Sequence, residues 1–395
     1  MEYRPFYLSR EWVRLGHNVT IAAASCSHLR TVAPAIKGDV TEEEIEGVRY
    51  LWFRTPGYRG NGLKRAANMF AFTGQLIRHR SLLASGCREG AVIASSTYPL
   101  DAFPGRRIAR SAKARFIFEV HDLWPLSPIE LGGMSPAHPF IALMQRAENF
   151  AYRHADTVVS LLPKAEAHMR RHGMAAGKFV HIPNGVDSSE WLTGCSELPA
   201  EYQCAFDAAR RKGHTTVVYA GAHGVANAMG TILRAAELLR ERPVTIILVG
   251  QGPEKPALER QAAESLLTNL VFLPAVKKTA IPTLLRAADL LVVSMQRCSL
   301  YRFGISLNKL NDYMMAGRPI IQAADAANDM VAESGCGVTV PPEDPRAIAD
   351  AVIRLMELSD AERTEMGARG HSYVLGRHDY RVLAKQFLEV LGADG

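Results

Sequence analysis

Short apolar runs alternate with helix-spaced stretches along the whole chain, and this alternation limits the fold more than any other feature. In the first half, runs rich in Val, Ile, Leu, Ala and Phe stand at 19–24, 48–53, 91–95, 116–120, 157–161 and 179–182. Stretches with apolar residues at helical spacing lie between them, near 64–83, 99–112, 137–154 and 163–171. Pro183-Asn184-Gly185 then breaks the chain, and 188–213 reads as a linker with a helix. A second series has runs at 216–219, 245–249, 270–273, 290–294, 320–322 and 337–340. Its helices are near 229–241, 254–266, 280–287, 306–316, 345–357 and 361–392. Parallel strands are covered by helices on both faces, so they read as continuous apolar runs rather than as alternating ones. The pattern predicts an α/β chain of two doubly wound, parallel-sheet domains. The predicted divisions are 1–187, 188–375 and a terminal helical segment 376–395.

Composition excludes several classes. Apolar residues make up 48% and charged residues 22%, as in an ordinary globular protein. No apolar run reaches the roughly 18 residues of a membrane-spanning helix. The segment MEYRPFYLSREW lacks the apolar stretch of a signal peptide, so none is expected. The six cysteines (Cys26, Cys87, Cys195, Cys204, Cys298 and Cys336) form no CxxC pair and read as free thiols in a reducing cytoplasm.

The net charge of +6 is unevenly placed. Residues 1–187 hold 24 Lys and Arg against 16 Asp and Glu, whereas 188–395 hold 22 against 24. Residues 54–88 carry Arg54, Arg59, Lys64, Arg65, Arg78, Arg80 and Arg88 with no acid. Residues 102–118 add Arg106, Arg107, Arg110, Lys113 and Arg115, again without one. Leu63, Ala66, Ala67, Phe70 and Ile77 are spaced helically within this basic region. Residues 54–115 therefore predict contact with an anionic surface, such as a membrane, or else a packed helix with a solvated basic face. No nucleic-acid recognition motif is present, and nucleic acid is not expected as a partner.

In doubly wound folds, ligands bind outside the carboxyl ends of the strands, so the turns after strands are the places to search. Gly221-Ala222-His223-Gly224-Val225-Ala226-Asn227 follows the first run of the second half, and Gly250-Gln251-Gly252-Pro253 follows the next. Small residues there let backbone amides approach an anion. The segment FGISLNKLNDYMMAGRPII (303–321) runs from a turn into a short helix and on to a strand. Lys309 and Asp312 lie three apart, which puts them on one helical face. A cation near a helix start suits a diphosphate, and an acid deeper on that face suits paired sugar hydroxyls. A capped helix with a surface Lys-Asp pair has the same spacing. In the first half, His121-Asp122 stands just past a strand, where a histidine could donate to a sugar hydroxyl or phosphate and its neighbour could orient it. Otherwise Asp122 caps the turn and His121 packs. His168 and His172 are spaced i, i+4 without an evident third ligand and read as surface residues. No Asp-x-Asp motif follows a strand, so no obligatory divalent metal is expected.

These residues together resemble the retaining GT-B glycosyltransferases of family 4, closest to the lipopolysaccharide and capsule group with L-fucosamine-type transferases. The resemblance is carried by EYRPFYLSREWVRLGHNVT (2–20), FEVHDLWPLSP (118–128), RHADTVVSLLP (153–163), HIPNGVD (181–187), VYAGAHGVAN (218–227), VGQGPE (249–254) and FGISLNKLNDYMMAGRPI (303–320). It implies two Rossmann-like domains facing across a cleft, with the terminal helix packing back on the first. It also implies sugar transfer from a nucleotide-diphosphate donor, expected to be UDP-linked and to carry an N-acetylated amino sugar. The implied acceptor is a polyprenyl-diphosphate-linked saccharide at the inner face of the cytoplasmic membrane. No cofactor is implied beyond this substrate. By the resemblance, His121 and Asp122 serve the transferring sugar, and Asp312 serves the ribose. Lys309 and the turn with Gly221, His223 and Asn227 would hold the diphosphate. Gly250, Gly252, Pro253 and Val276 would line the nucleotide pocket, and Phe303, Gly304, Ser306 and Asn308 would complete the donor site.

Three departures stand out. Gly304 occupies the position of the first acid of the family's Glu-x7-Glu motif. The phosphate-binding Arg/Lys pair after the first strand of the second domain is absent, and His223, Asn227 and Lys309 are its expected substitutes. The family's first strand and Gly-rich loop have no counterpart ahead of the helix read at 2–15, which would leave inner strand edges unpaired between 19–24 and 91–95. The expectation is either that Met1 is an internal methionine of a longer protein or that the chain is a damaged copy. The alternatives to transfer are therefore an inactive remnant that binds nucleotide or membrane, and a GT-B-like nucleotide-sugar epimerase.

Overall fold

The computed structural model describes residues 3–27, 30, 33–58, 60, 62–193 and 196–392. Arg59 and Cys195, named above, lie outside them. The other five cysteines are free thiols. The chain divides into two compact units. The first comprises residues up to Asn184, the short segment Arg302–Ser306, and the C-terminal segment from Tyr380. The second comprises Gly185–Tyr301 and Leu307–Asp379. This division differs from the predicted boundaries chiefly in giving 302–306 to the first unit.

The first unit carries β1 (Thr20–Ala24), β2 (Val40–Ile45), β3 (Val48–Phe53), β4 (Ala91–Ala94), β5 (Arg115–Val120), β6 (Thr157–Ser160) and β7 (Phe179–His181). They form two sheets, ordered β1-β3-β2 and β4-β5-β6-β7. All pairs are parallel except β2-β3, which is an antiparallel hairpin that the run-counting above does not find. Its Glu42-Glu43-Glu44 sequence disguises an edge strand. Glu42 pairs with Arg49 at 2.6 Å, and Glu43 accepts from the Trp52 indole at 2.7 Å. Glu46 and Gly47 both take positive φ, as a two-residue hairpin turn requires.

The two sheets separate between β1 and β4, where the resemblance expects unpaired edges. Both edges nevertheless belong to one core. Ile21 and Ala23 of β1 and Ile93 of β4 pack with Phe6, Leu8 and Trp12 of the helix Tyr3–Arg14 and with Leu383 and Phe387 of the helix Tyr380–Leu391. The Trp12 indole donates to the Ala384 carbonyl at 3.0 Å, and Tyr7 stacks on Tyr380. The single helix predicted over 361–392 is two, Asp360–Arg377 and Tyr380–Leu391. The first opens on a reciprocal Ser359/Glu362 capping box.

The second unit carries β8 (Thr215–Ala220), β9 (Val244–Val249), β10 (Leu270–Leu273), β11 (Leu290–Ser294), β12 (Ile320–Ala323) and β13 (Gly337–Val340). All pair in parallel in the order β10-β9-β8-β11-β12-β13. Every residue of β9 and of β11 is buried, as central strands covered on both faces must be. The strand order reverses between β8 and β11, so the doubly wound rule puts the ligand crevice outside their carboxyl ends. Gln296, past β11, donates its amide to the Ala226 carbonyl, past β8, at 3.1 Å and ties the two turns together. Among the described residues, no helix is long and apolar enough to cross a membrane.

Candidate functional site

At the switch point of the second unit the centre is Lys309, in the first turn of the helix Asn308–Met315. Tyr313 anchors this helix to the end of β8: its hydroxyl accepts from the Ala220 amide at 2.6 Å. Lys309 Nζ donates to Tyr219 Oη at 3.0 Å and to Asn227 Oδ1 at 2.5 Å, and lies 4.9 Å from the Tyr219 ring centroid. Tyr219 and Asn227 each donate in turn to the Ala222 carbonyl, at 2.8 and 3.0 Å. The ammonium is thus held by neutral groups only. Burial without a carboxylate partner pulls its pKa down to about 8. Gly221 faces this amine: a Cβ there would stand 3.2 Å from Lys309 Nζ and 2.9 Å from Tyr219 Oη.

The other turn residues play different parts. The turns after β8 and β9 pack backbone against backbone, and a Cβ on Gly250 would overlap the Gly221 carbonyl. Gly252 meets the His223 main chain in the same way. His223 itself is fully buried, with neither ring nitrogen hydrogen-bonded. Desolvation, then Lys255 and Lys309, lower its pKa to about 4. His223 is therefore neutral at neutral pH. Lys255, which the sequence reading passed over, donates to the carbonyls of Gly250 and Leu273 at 3.1 and 3.0 Å. Pro253 and Asn308 are exposed, and Val276 is half-buried after β10.

Asp312 does not share partners with Lys309. Its Oδ1 accepts from the Trp191 indole at 3.0 Å, and burial raises its pKa to about 6 despite that bond. Phe303, Gly304 and Ser306 belong to the first unit. Phe303 is 6% exposed, its ring 5.4 Å from that of His168, and its carbonyl accepts from Lys164 N at 3.0 Å. Ser306 Oγ accepts from the Asn184 amide at 2.8 Å.

In the first unit, His121 follows β5, and its Nε2 lies 2.9 Å from Ser95 Oγ and 3.2 Å from Glu119 Oε2. Ser95 also donates to Glu119. Arg4, on the helix Tyr3–Arg14, pairs with the other Glu119 oxygen at 2.9 Å and donates to the carbonyls of Ile182, at 2.9 Å, and Pro183. Burial would raise the Glu119 pKa, but Arg4, His121 and Ser95 outweigh it and hold the carboxyl well below the usual range. The group orienting His121 is therefore Glu119, not Asp122, whose side chain is exposed. An acid inside the apolar run of β5 was the available signal, since a carboxylate there needs a buried partner.

His168 is also placed differently from the surface reading: it is 7% exposed. It packs between Phe303 and His172, close to Glu148.

Two Rossmann-like parallel-sheet domains, with an anion-ready lysine at the switch point of the second, define a GT-B glycosyltransferase architecture. The family described as "Glycosyl transferase 4-like domain" matches residues 2–185, and "Glycosyl transferases group 1" matches residues 214–358. The two matches follow one another along the chain and make it a glycosyltransferase with both domains. It is 25% identical over 285 residues to the glycosyltransferase WbjE of Pseudomonas aeruginosa, covering 70% of this chain and 68% of that one. It is 23% identical over 256 residues to WcaI of Escherichia coli strain K12, assigned as a colanic acid biosynthesis glycosyl transferase, covering 63% of this chain and 62% of that one. Among solved structures, Anabaena Alr3699/HepE in complex with UDP-glucose superposes with a TM-score of 0.63 at 17% identity, covering 88% of this chain and 87% of that one.

Proposed function

We propose that this glycosyltransferase takes a sugar from a nucleotide-diphosphate donor and transfers it to a lipid-linked saccharide in surface-polysaccharide synthesis. The observation that carries the reading is Lys309. It is a half-buried ammonium with only neutral partners among the described residues, facing a glycine turn at the strand-order reversal. A diphosphate there supplies the counter-charge that the protein withholds, and it gains most as it leaves the sugar and its charge grows. The HepE complex with UDP-glucose and the colanic acid assignment of WcaI support the donor class and the pathway class. The amine takes the place of a metal in balancing the diphosphate, so transfer proceeds without a divalent ion; retention at the sugar carbon is what the resemblance to the retaining group implies. UDP is the expected nucleotide and an N-acetylated amino sugar the expected group.

The acceptor reading rests on the first unit. The helix Leu63–Arg78 buries Asn68, Met69, Phe72 and Leu76 on one side. It leaves Leu63 90%, Phe70 48% and Ile77 39% exposed on the other. Lys64, Arg78 and Arg80 flank that stripe and are exposed. Arg106, Arg107 and Arg110 line a pocket with Phe103, Phe150 and His154. An apolar stripe among cations suits an anionic membrane surface on the cytoplasmic side, and a basic pocket suits a lipid-linked diphosphate. The test is a panel of nucleotide sugars with a polyprenyl-diphosphate saccharide, scored by nucleotide release. Release that requires acceptor supports transfer. Interconversion of the donor sugar without acceptor identifies an epimerase, and nucleotide binding without turnover identifies an inactive binder.

A further inference from the structure

The helices Pro139–His154 and Glu166–Arg171 of the first unit bring Glu148, His168 and His172 together. One ligating atom from each lies within 4.8 Å of the others. We propose that these three side chains form a transition-metal site, with zinc as the ion they best suit, that braces the first unit apart from any role in sugar transfer.

Three observations converge on it. First, His168 Nε2 is buried and has no hydrogen-bond partner; its nearest acceptor, Glu148 Oε1, is 3.6 Å away. That separation is too long for a hydrogen bond, and it matches two ligands spanning one tetrahedral ion at about 2.0–2.2 Å each. Second, Glu148 is 2% exposed, and its hydrogen bonds come from neutral donors, Tyr152 Oη at 2.9 Å and Gln145 Nε2 at 2.6 Å. A buried carboxylate without a full counter-charge is costly. Third, three acceptors crowd the Gln145 amide nitrogen: Glu148 Oε2, Asn149 Oδ1 at 2.8 Å and His172 Nδ1 at 2.9 Å. An amide has two protons to offer, so with His172 Nδ1 unprotonated the cluster holds more acceptors than donors, whereas the Nδ1–H tautomer donates to Asn149 Oδ1 at 3.2 Å and leaves His172 Nε2 as the ligating atom.

Two imidazoles and a carboxylate are a donor set that zinc takes with one position left open. Tyr152, Gln145 and Asn149 are placed to orient the ligands from outside, as such partners commonly do. The Phe303 ring lies against His168, so an ion here also steadies the segment Arg302–Ser306. The rival arrangement is a plain ion pair between protonated His168 and Glu148.

The test uses the untagged full chain, stripped with chelator and titrated with zinc chloride alone. The expected result is one zinc per chain and a higher Tm. Cobalt(II) should give a ligand-field spectrum that zinc abolishes. His168→Gln and His172→Gln should weaken binding by about 100-fold or more, and Asn149→Ala by roughly 10- to 100-fold. Wild-type protein that binds no zinc, or whose cobalt spectrum is that of the free aqueous ion, overturns the proposal and leaves the ion pair. The cobalt result on wild type decides the matter even if the variants fail to fold. Stoichiometric binding that survives both histidine substitutions places the ion elsewhere and also overturns it. The nucleotide-release assay reads a different part of the molecule, so the two proposals fail separately.

Discussion

The two units each set a charged group at the carboxyl end of a parallel sheet, and they neutralise it in opposite ways. In the first, Glu119 is enclosed by Arg4, Ser95 and His121, and the network is balanced from within. In the second, Lys309 has, among the described residues, only Tyr219 and Asn227 as hydrogen-bond partners, and its charge is unbalanced. Burial penalises both ions, but only Glu119 has counter-charges close enough to reverse the sign of its pKa shift. A closed network holds a side chain in position, whereas an open one awaits an ion from solution. On the proposed function, His121, just past β5, is a positioned group, and Lys309, in the first turn of the helix Asn308–Met315, is a binding group.

The largest expected effect tests the closed network. Glu119→Ala leaves Arg4 buried without its partner and should cost about 3–5 kcal/mol of stability, read as a drop in the denaturant midpoint. A loss under about 1 kcal/mol would show that the network is not closed and would remove the contrast with Lys309.

Lys309→Ala should do the reverse. Little stability is at stake, because the ammonium is already desolvated without a counter-ion. Affinity for UDP should fall by about 1.5–3 kcal/mol, roughly 10- to 150-fold by calorimetry. The pH dependence follows from the same imbalance. The free amine has its pKa near 8, and a bound diphosphate raises it, so binding takes up a proton above that pH. UDP affinity should hold from pH 6 to about 7.5 and then weaken toward tenfold per unit above pH 8, a decline absent in the variant. A pH-independent affinity would sink the assignment of Lys309 to the diphosphate.

Asp312 lies between the two cases: a half-buried acid that accepts from a neutral donor, the Trp191 indole. Its folded pKa of about 6 exceeds the ordinary carboxylate value, so the folded state holds the proton more tightly than the unfolded one. That contribution is present at low pH and is lost as pH rises through about 6. Asp312→Asn keeps an acceptor for Trp191 and should therefore raise stability at pH 7.5 by about 1–3 kcal/mol, with little change at pH 4. If the carboxylate also meets the ribose, the same variant should weaken UDP binding several-fold. A variant more stable yet unchanged in UDP affinity makes Asp312 a structural partner of Trp191 alone.

This contrast explains what the sequence could and could not reveal. All the apolar runs read as strands are strands, because buried parallel strands leave the plainest record in composition. β2 escaped because an edge strand tolerates glutamates that can find partners across the hairpin. Lys309 was legible as a cation at a helix start. Its lack of a carboxylate, which makes it informative, depends on Tyr219 and Asn227, about 90 and 82 residues away in sequence. Asp122 adjoins His121 in the chain, but side chains two apart on a strand share a face and neighbours do not, and Glu119 is the carboxylate that reaches the imidazole. His168 and His172 were read as exposed because their third companion, Glu148, belongs to another helix.

The smallest expected effect concerns the outer surfaces, where the two halves also differ. The half with the closed network carries the excess of Lys and Arg and the stripe of Leu63, Phe70 and Ile77; the half with the open lysine carries a slight excess of acids. Binding to vesicles of anionic phospholipid should therefore depend on the first unit and on both kinds of residue there. Phe70→Ser removes one half-exposed ring that the protein core does not need, so the fold should be unaffected. A part-buried aromatic side chain contributes about 1 kcal/mol at an interface, so the vesicle partition coefficient should fall about fivefold. Lys64→Ala should fall by a similar factor at low ionic strength and by less in added salt, since a cation near an anionic surface is worth about 1 kcal/mol and is screened. Partition lost equally in neutral and anionic vesicles would leave the stripe as an apolar contact without electrostatic guidance. No loss in either would show that the exposed side of this helix meets something other than lipid.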